Sequence, residues 1–402
     1  MQYKINPRNG DKLSILGYGC MRFGGDSIVT SFTGGFDAKK AEKLIVSAVE
    51  QGVNYFDTAY VYTGSEEVLG NTLKKYGLRE KVFIATKMPL IMCRKAEDLD
   101  RFFETHLKRL QTDYIDYYLL HMLADMKTWE TLCQWGIREW AEEKKRSGQI
   151  RNFGFSFHGA QDEFLAILDA YDWDFCQIQY NYSDENYQAG VTGLRAAAAK
   201  GIPVMIMEPL LGGKLAKNLP TAAVERFKQA NPALSPAAWA FRWLYAQPEV
   251  TVVLSGMNEQ FQLDENVKLT DMVSLEPLSE EDKATIHDVR EIFNSSYKVH
   301  CTGCHYCMPC PADVNIPACF TAYNTRYSIN KGQGMLQYYM STLMSDKQSY
   351  ASLCLKCGKC EKHCPQNLPI RECLQSVAKE FEDPIFKAAK VVMPLFLRKK
   401  SK

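Results

Sequence analysis

The chain has no apolar run long enough to cross a bilayer, no excess of charge of either sign, and little cysteine before residue 300. Each scarcity excludes something. A membrane-spanning helix needs about 20 consecutive apolar residues, so no membrane span is expected. A formal net charge of +1, with 24% charged residues, leaves no basic footprint for nucleic acid and no bulk acidic bias. The opening residues, MQYKINPRNGDKLS, lack the apolar core of a signal peptide, and the expected location is the cytoplasm. Low-complexity segments are missing too, and the only internal repetition is a doubled cysteine motif. What is present, 402 residues with 46% hydrophobic, suffices for a full-sized domain and a smaller second one.

The cysteines are unevenly placed. Of 14, only Cys20, Cys93, Cys133 and Cys176 precede residue 300, and the other ten lie between Cys301 and Cys373. In a long chain without a secretory signal, such clustering argues for metal rather than disulfides.

Over the first 275 residues, short apolar runs alternate with longer amphipathic stretches. LGYGCMRF, NYFDTA, KVFIATKM, YIDYYLLH, IRNFGFSFH, FCQIQYNY, PVMIMEP and TVVLSG read as eight buried strands. Segments such as AKKAEKLIVSAVEQG and EDLDRFFETHLKRLQ read as the helices between them. Eight such units favour an α/β fold of the (β/α)8 TIM-barrel type over an open doubly wound sheet. The stretches around Gln2–Ile5 and Lys12–Ile15 read as a hairpin capping the bottom.

Chemistry in such barrels sits at the C-terminal ends of the strands. Those ends carry Asp57 and Tyr62 after the second strand, Lys87 on the third and His121 on the fourth. A phenol with a pKa of about 10 is a poor acid at neutral pH unless a cation stabilises its phenolate. Lys87 can supply that cation, Asp57 can hold Lys87, and His121 can orient a substrate oxygen. The alternative is a structural ion pair flanked by two satisfied rim residues.

In type, order and strand context, Asp57, Tyr62, Lys87 and His121 resemble the catalytic tetrad of the aldo/keto reductase family. The resemblance implies hydride transfer between a nicotinamide cofactor and a carbonyl or alcohol substrate, with Tyr62 giving or taking the proton. It also implies that Ser156 and Gln177 hold the cofactor carboxamide, although Phe157 stands where the family has Asn. Met207 takes the position of the aromatic that stacks on the nicotinamide. Gly212 and Gly213, and Ser255 with Gly256, fall in the cofactor loops, where the glycines are read equally well as turn residues. The loop Ser255–Asn266 contains no Lys or Arg, which tilts the cofactor toward NAD(H) over NADP(H) because a 2′-phosphate needs positive charge nearby. Lys214 and Lys217 can compensate. A flavin in the same cavity is the other reading of this altered seat.

The C-terminal motifs are CTGCHYCMPCP, from Cys301, and CLKCGKCEKHCP, from Cys354. Three cysteines at two-residue intervals wrap one cubane, and the fourth, before Pro, ligates the other cluster in two-cluster ferredoxins. Crossing the ligands gives Cys301, Cys304, Cys307 and Cys364 for one [4Fe–4S] cluster. Cys354, Cys357, Cys360 and Cys310 then hold the second. Only two residues precede Cys310 where the standard run has three. Zinc is the competing reading, but its sites show pairs of ligands rather than runs of four. The spacer of about 40 residues resembles the α-helical ferredoxin domain, so a mainly α-helical iron–sulfur domain should follow the barrel. Barrel and module together resemble an iron–sulfur-carrying subgroup of the aldo/keto reductases. The expected division is a barrel over 1–275, a linking helix over 276–300, a two-cluster domain over 301–375 and a tail over 376–402.

These parts suggest an iron–sulfur oxidoreductase, working alone or with a redox protein partner. Hydride carries two electrons and a cluster takes one, so a flavin here or on a partner would bridge the count. The alternative is an electron-transfer or regulatory subunit that uses the barrel as a non-catalytic scaffold.

Overall fold

Strands that are apolar on both faces need a filled interior on one side and a helical layer on the other. The computed structural model describes residues 1–23, 37–273, 275, 277–343, 347–387 and 389–390. The stretch GGDSIVTSFTGGFD falls outside these except for its last residue, as do Arg398, Lys399, Lys400 and Lys402 near the C-terminus. Two units divide the chain: Met1–Leu210 with Ala237–Leu278, and Leu211–Pro236 with the residues from Ser279 onward.

In the first unit, β1 (Tyr3–Ile5) and β2 (Lys12–Ser14) form the expected hairpin. The barrel consists of β3 (Leu16–Gly19), β4 (Tyr55–Asp57), β5 (Phe83–Met88), β6 (Ile115–Leu120), β7 (Ile150–Phe157), β8 (Phe175–Gln179), β9 (Val204–Met207) and β10 (Val250–Ser255). They pair in parallel and in sequence order, and β10 closes on β3 with Val253 opposite Leu16. All eight strands correspond to the runs read from the sequence.

Period-two alternation sorts the interior into layers. Tyr55, Ala85, Leu119, Phe175 and Met205 belong to one buried apolar cluster. Two residues further along the same strands stand Asp57, Lys87, His121, Gln177 and Met207. The apolar filling therefore stops one layer below the rim, and mostly polar groups take over. Large rings fill the lower layer, with Tyr117 edge-on to Tyr55 at 5.2 Å and to Phe175 at 4.9 Å. Gly154 makes room for them: a Cβ there would lie 2.7 Å from Phe175 Cδ1 and closer still to the Phe175 carbonyl oxygen. The hairpin seals the bottom through Asn6 Nδ2, which donates to Tyr117 Oη at 3.1 Å, while Tyr117 Oη donates to Asp11 at 2.7 Å.

The second unit is helical. Ser279 Oγ accepts the Asp282 N–H at 3.1 Å and starts the helix Glu280–Ser296, as its Ser-x-x-Asp pattern suggests. That helix packs against Thr221–Ala230, and Arg226 Nε donates to Asp288 at 2.9 Å. These contacts place residues 211–236 in the second unit, which differs from a barrel running unbroken over 1–275. Helices Ile316–Ser328, Lys331–Leu343 and Ile370–Phe381 enclose a core in which Tyr338 stacks on Phe381 at 4.7 Å. No helix among the described residues is long and apolar enough to cross a membrane.

Gly154→Ala should destabilise the protein by about 1–3 kcal/mol, the usual cost of overpacking a filled core. Urea unfolding followed by circular dichroism reads the shift in midpoint.

Candidate active site and cluster-binding loops

Adjacent parallel strands bring the four rim groups together. Lys87 Nζ donates to Asp57 Oδ2 at 2.6 Å and to the Thr58 carbonyl at 2.8 Å, and Lys87 is 1% exposed. Burial pushes the Asp57 carboxyl above its ordinary value, and the Lys87 ammonium pulls it back. Tyr62 reaches the group from the loop after β4. Its ring centroid lies 5.6 Å from Lys87 Nζ and 6.2 Å from the His121 ring, which meets it edge-on at 89°. That loop is pinned by Thr58 N–H to Ala85 O and by the Thr58–Ser65 hydroxyl contact at 2.8 Å. His121 is buried beside Lys87, and both effects drive its pKa far below the usual imidazole range. It is therefore neutral at pH 7 and can both donate and accept.

The cofactor candidates divide into groups. Gln177 Oε1 is buried with no hydrogen-bond partner, while Gln177 Nε2 lies 3.7 Å from Met207 Sδ. A buried acceptor without a donor fits an amide such as the nicotinamide carboxamide. Ser156 Oγ accepts the Met122 N–H at 2.9 Å and so fixes the loop after β6. Ser255 Oγ accepts from Asn266 at 3.1 Å. Gly256 lies against the Arg22 side chain, a cation supplied from beyond the Ser255–Asn266 loop. Glu259, at the start of the helix Gln260–Met272, pairs with Lys40. Gly212 and Gly213 belong to the second unit, where φ values of 68° and 94° give them a turn role.

Two features escaped the reading of the sequence. Phe157, at the family's Asn position, packs into the helical layer against Phe164 at 5.0 Å. The next residue, His158, takes up the polar position: its Nδ1 is buried without a hydrogen-bond partner, and its ring feels the charge of Lys87. Burial pushes its pKa down to about 4, partly opposed by a hydrogen bond with Gln188. A one-residue slip between Asn and His was the available signal, hidden by matching positions one to one.

In the second unit, the two cysteine loops share a backbone. Gly303 and Lys356 have φ of 69° and 56°, and each donates its N–H to the preceding motif cysteine sulfur, Cys301 or Cys354, at 3.4 Å. His305 and Gly358 repeat the left-handed turn at 61° and 72°. Cys310, Cys354, Cys357 and Cys360 line one shallow pocket together with Leu355, Gly358 and Arg371, the set expected for the second cluster. Burial raises the Cys307 thiol, and the neighbouring sulfurs of Cys301 and Cys364 raise it further. Cys319 is fully buried against the helical core, and Cys373 is half-buried near Cys301 and Cys364.

Comparisons with known proteins agree with this layout. Residues 15–291 match the model of the aldo/keto reductase family, and residues 300–368 match a 4Fe-4S dicluster domain. The chain is 27% identical to the aldo-keto reductase YhdN of Bacillus subtilis, over 72% of this chain and 94% of that one. It is 26% identical to a probable voltage-gated potassium channel subunit beta of Oryza sativa, over 68% and 93%. A crystal structure of an aldo-keto reductase from Klebsiella pneumoniae in complex with NADPH shares the fold, with a TM-score of 0.57, 22% identity, and coverage of 72% of this chain and 95% of that one.

A histidine buried neutral gives stability that is complete above its unfolded pKa of about 6.5. That stability is lost as pH falls toward its folded value, because the unfolded chain then binds more protons. For His158 the window runs from about 6.5 down to about 4. Asp57, raised above its ordinary value, acts in the opposite sense, so the readout is a difference between proteins. His158→Gln should show a shallower fall of thermal midpoint across that window than the unsubstituted protein.

Proposed function

The chain belongs to the aldo/keto reductase family, and on that premise we propose an oxidoreductase that moves hydride between a nicotinamide cofactor and a carbonyl or alcohol, with two [4Fe–4S] clusters carrying electrons. The observation that supports it best is the buried Lys87–Asp57 pair at 2.6 Å beneath Tyr62 and His121.

Lys87 has three N–H donors, and Asp57 and Thr58 take two. The third serves the Tyr62 phenolic oxygen. A cation held there stabilises the phenolate and brings the phenol toward a pKa useful near neutrality. Tyr62 then gives its proton to the oxygen of a carbonyl, or takes one from an alcohol. Neutral His121 donates to the same oxygen without bringing a competing charge beside Lys87. Gln177 Oε1 accepts an N–H of the cofactor carboxamide, which fixes the face presented to substrate. When bound, the nicotinamide supplies the hydride acceptor or donor. Glu259 is paired with Lys40 and Arg22 lies against Gly256, so the charge around this loop does not separate NADH from NADPH.

Cys301, Cys304, Cys307 and Cys364 hold one cluster, and Cys354, Cys357, Cys360 and Cys310 the other. The N–H groups of Gly303 and Lys356 stabilise the electron-rich sulfurs. A flavin, on this chain or a partner, would supply the step between two-electron hydride and one-electron clusters. The potassium-channel relative shows that family barrels also carry names of subunits, but a scaffold gains nothing from a complete, desolvated tetrad.

Tyr62→Phe should lower turnover with a panel of small aldehydes by about 10²–10⁴-fold, the range of general acid catalysis, with an unchanged NADH dissociation constant. Loss of NADH binding instead would assign Tyr62 to the cofactor seat. In an anaerobic titration, NADH should reduce the clusters, read by electron paramagnetic resonance. Silent clusters with normal aldehyde turnover would separate the two halves.

A further inference from the structure

The two cysteine loops share a backbone and differ in what surrounds them. Cys301–Pro311 contains no Lys, Arg, Asp or Glu. Cys301, Cys304 and Cys307 are half-buried, and Thr302 is 6% exposed. The second loop, Ser352–Pro365, carries Lys356, Lys359 and Lys362, all exposed. Its one acidic residue, Glu361, is committed to Arg371, which donates through Nε at 2.8 Å, through Nη2 at 2.7 Å and through its backbone N–H at 2.9 Å. The lysines therefore keep their charge within the loop. Cys357 is the exposed cysteine of the eight, and Leu355 beside it is 71% exposed.

Three features lie within this one loop: the exposed Cys357, the exposed Leu355 next to it, both lining the pocket of the second cysteine set, and three exposed lysines. A cluster that serves only structure needs none of them. Electron transfer between proteins weakens steeply with distance, so an exit site places its cluster near solvent. Weak, fast docking is achieved by charge steering around a small apolar contact.

We propose that the Lys356–Lys362 face is the docking site for an acidic one-electron carrier protein, of the flavodoxin or plant-type ferredoxin class, and that the second cluster is the terminus which exchanges electrons with it. The proposal rests on the reading that these cysteines hold a cluster. In each exchange one electron leaves the reduced cluster and one enters the oxidised carrier, or the reverse. Two exchanges match one hydride. The first, charge-free loop holds the cluster that does not meet the partner.

The test uses the full-length, cluster-replete protein and an acidic flavodoxin as probe. Calorimetric titration of the two oxidised proteins should give a dissociation constant that rises at least about 10-fold between low salt and about 0.3 M salt. The triple variant Lys356→Glu, Lys359→Glu, Lys362→Glu should weaken binding by about 10-fold or more at low salt, with unchanged iron content and cluster spectrum. Leu355→Ser should weaken it while leaving the salt dependence intact. Reduction by dithionite bypasses the barrel, and stopped-flow mixing should then reduce flavodoxin one electron per cluster. In the triple variant that rate should fall, and the rate to basic cytochrome c should rise. Salt-independent binding, or equal binding by the triple variant, overturns the proposal. So does lysine-dependent binding to phosphatidylserine vesicles with none to flavodoxin. Wild-type protein without iron would instead overturn the cluster assignment, and failure of NADH alone would overturn only the link to the barrel.

Discussion

The buried ion pair between Lys87 and Asp57 is the constraint around which the candidate site is arranged. Desolvating each charge costs several kcal/mol, and removing one partner of such a pair costs about 3–5 kcal/mol. The pair is tolerated because its geometry is tight and the Thr58 carbonyl takes a further Lys87 proton. Its position follows from register. β4 and β5 are adjacent and parallel, and the Asp57 and Lys87 side chains both stand one layer above the aromatic filling. A one-residue slip of either strand would turn its charge outward into the helical layer. The packed rings below the rim thus hold the ammonium at a fixed height under Tyr62.

The same dry environment decides protonation around it. His121 and His158 are kept neutral by burial and by the nearby ammonium. The Lys87 ammonium is thus the fixed positive charge of the candidate site, with neutral imidazoles beside it. Two charged imidazoles there would repel Lys87 and one another. The polarity of the site therefore comes from burial as much as from residue identity.

How far the sequence disclosed this differs by layer. The eight strands were legible because each is short, apolar and bounded by turns. That Asp57, Tyr62, Lys87 and His121 would gather was legible because all four fall at or just beyond the C-terminal ends of successive strands. The doubled cysteine motif was legible because spacing alone defines it. What stayed hidden depends on contacts between segments far apart in the chain. Phe157 packs into the helical layer against Phe164, and the next residue, His158, is buried where it feels the charge of Lys87. Arg22 reaches Gly256 from the far side of β3, and Lys40 meets Glu259 across 219 positions, so a loop that seemed to lack basic residues has two basic neighbours. Residues 211–236 carry an ordinary amphipathic pattern, and only the partner helix Glu280–Ser296 shows which unit they serve.

That last feature bears on how the chain connects its two units. A cluster domain appended as a tail would be tied to its barrel by one covalent crossing. Here the chain leaves the barrel unit after β9, returns at Ala237, and leaves again at Ser279, which makes three crossings. The first departs from the C-terminal end of a barrel strand, the end where such barrels place their chemistry. Phe227, 1% exposed, and Arg226, bonded to Asp288, both belong to that excursion. Removing the residues from Ser279 onward would therefore expose an apolar helix face on a loop of the barrel itself, as well as deleting clusters. The chain therefore passes between the two units three times, and residues 211–236 are tied to the second unit by packing as well as by connectivity.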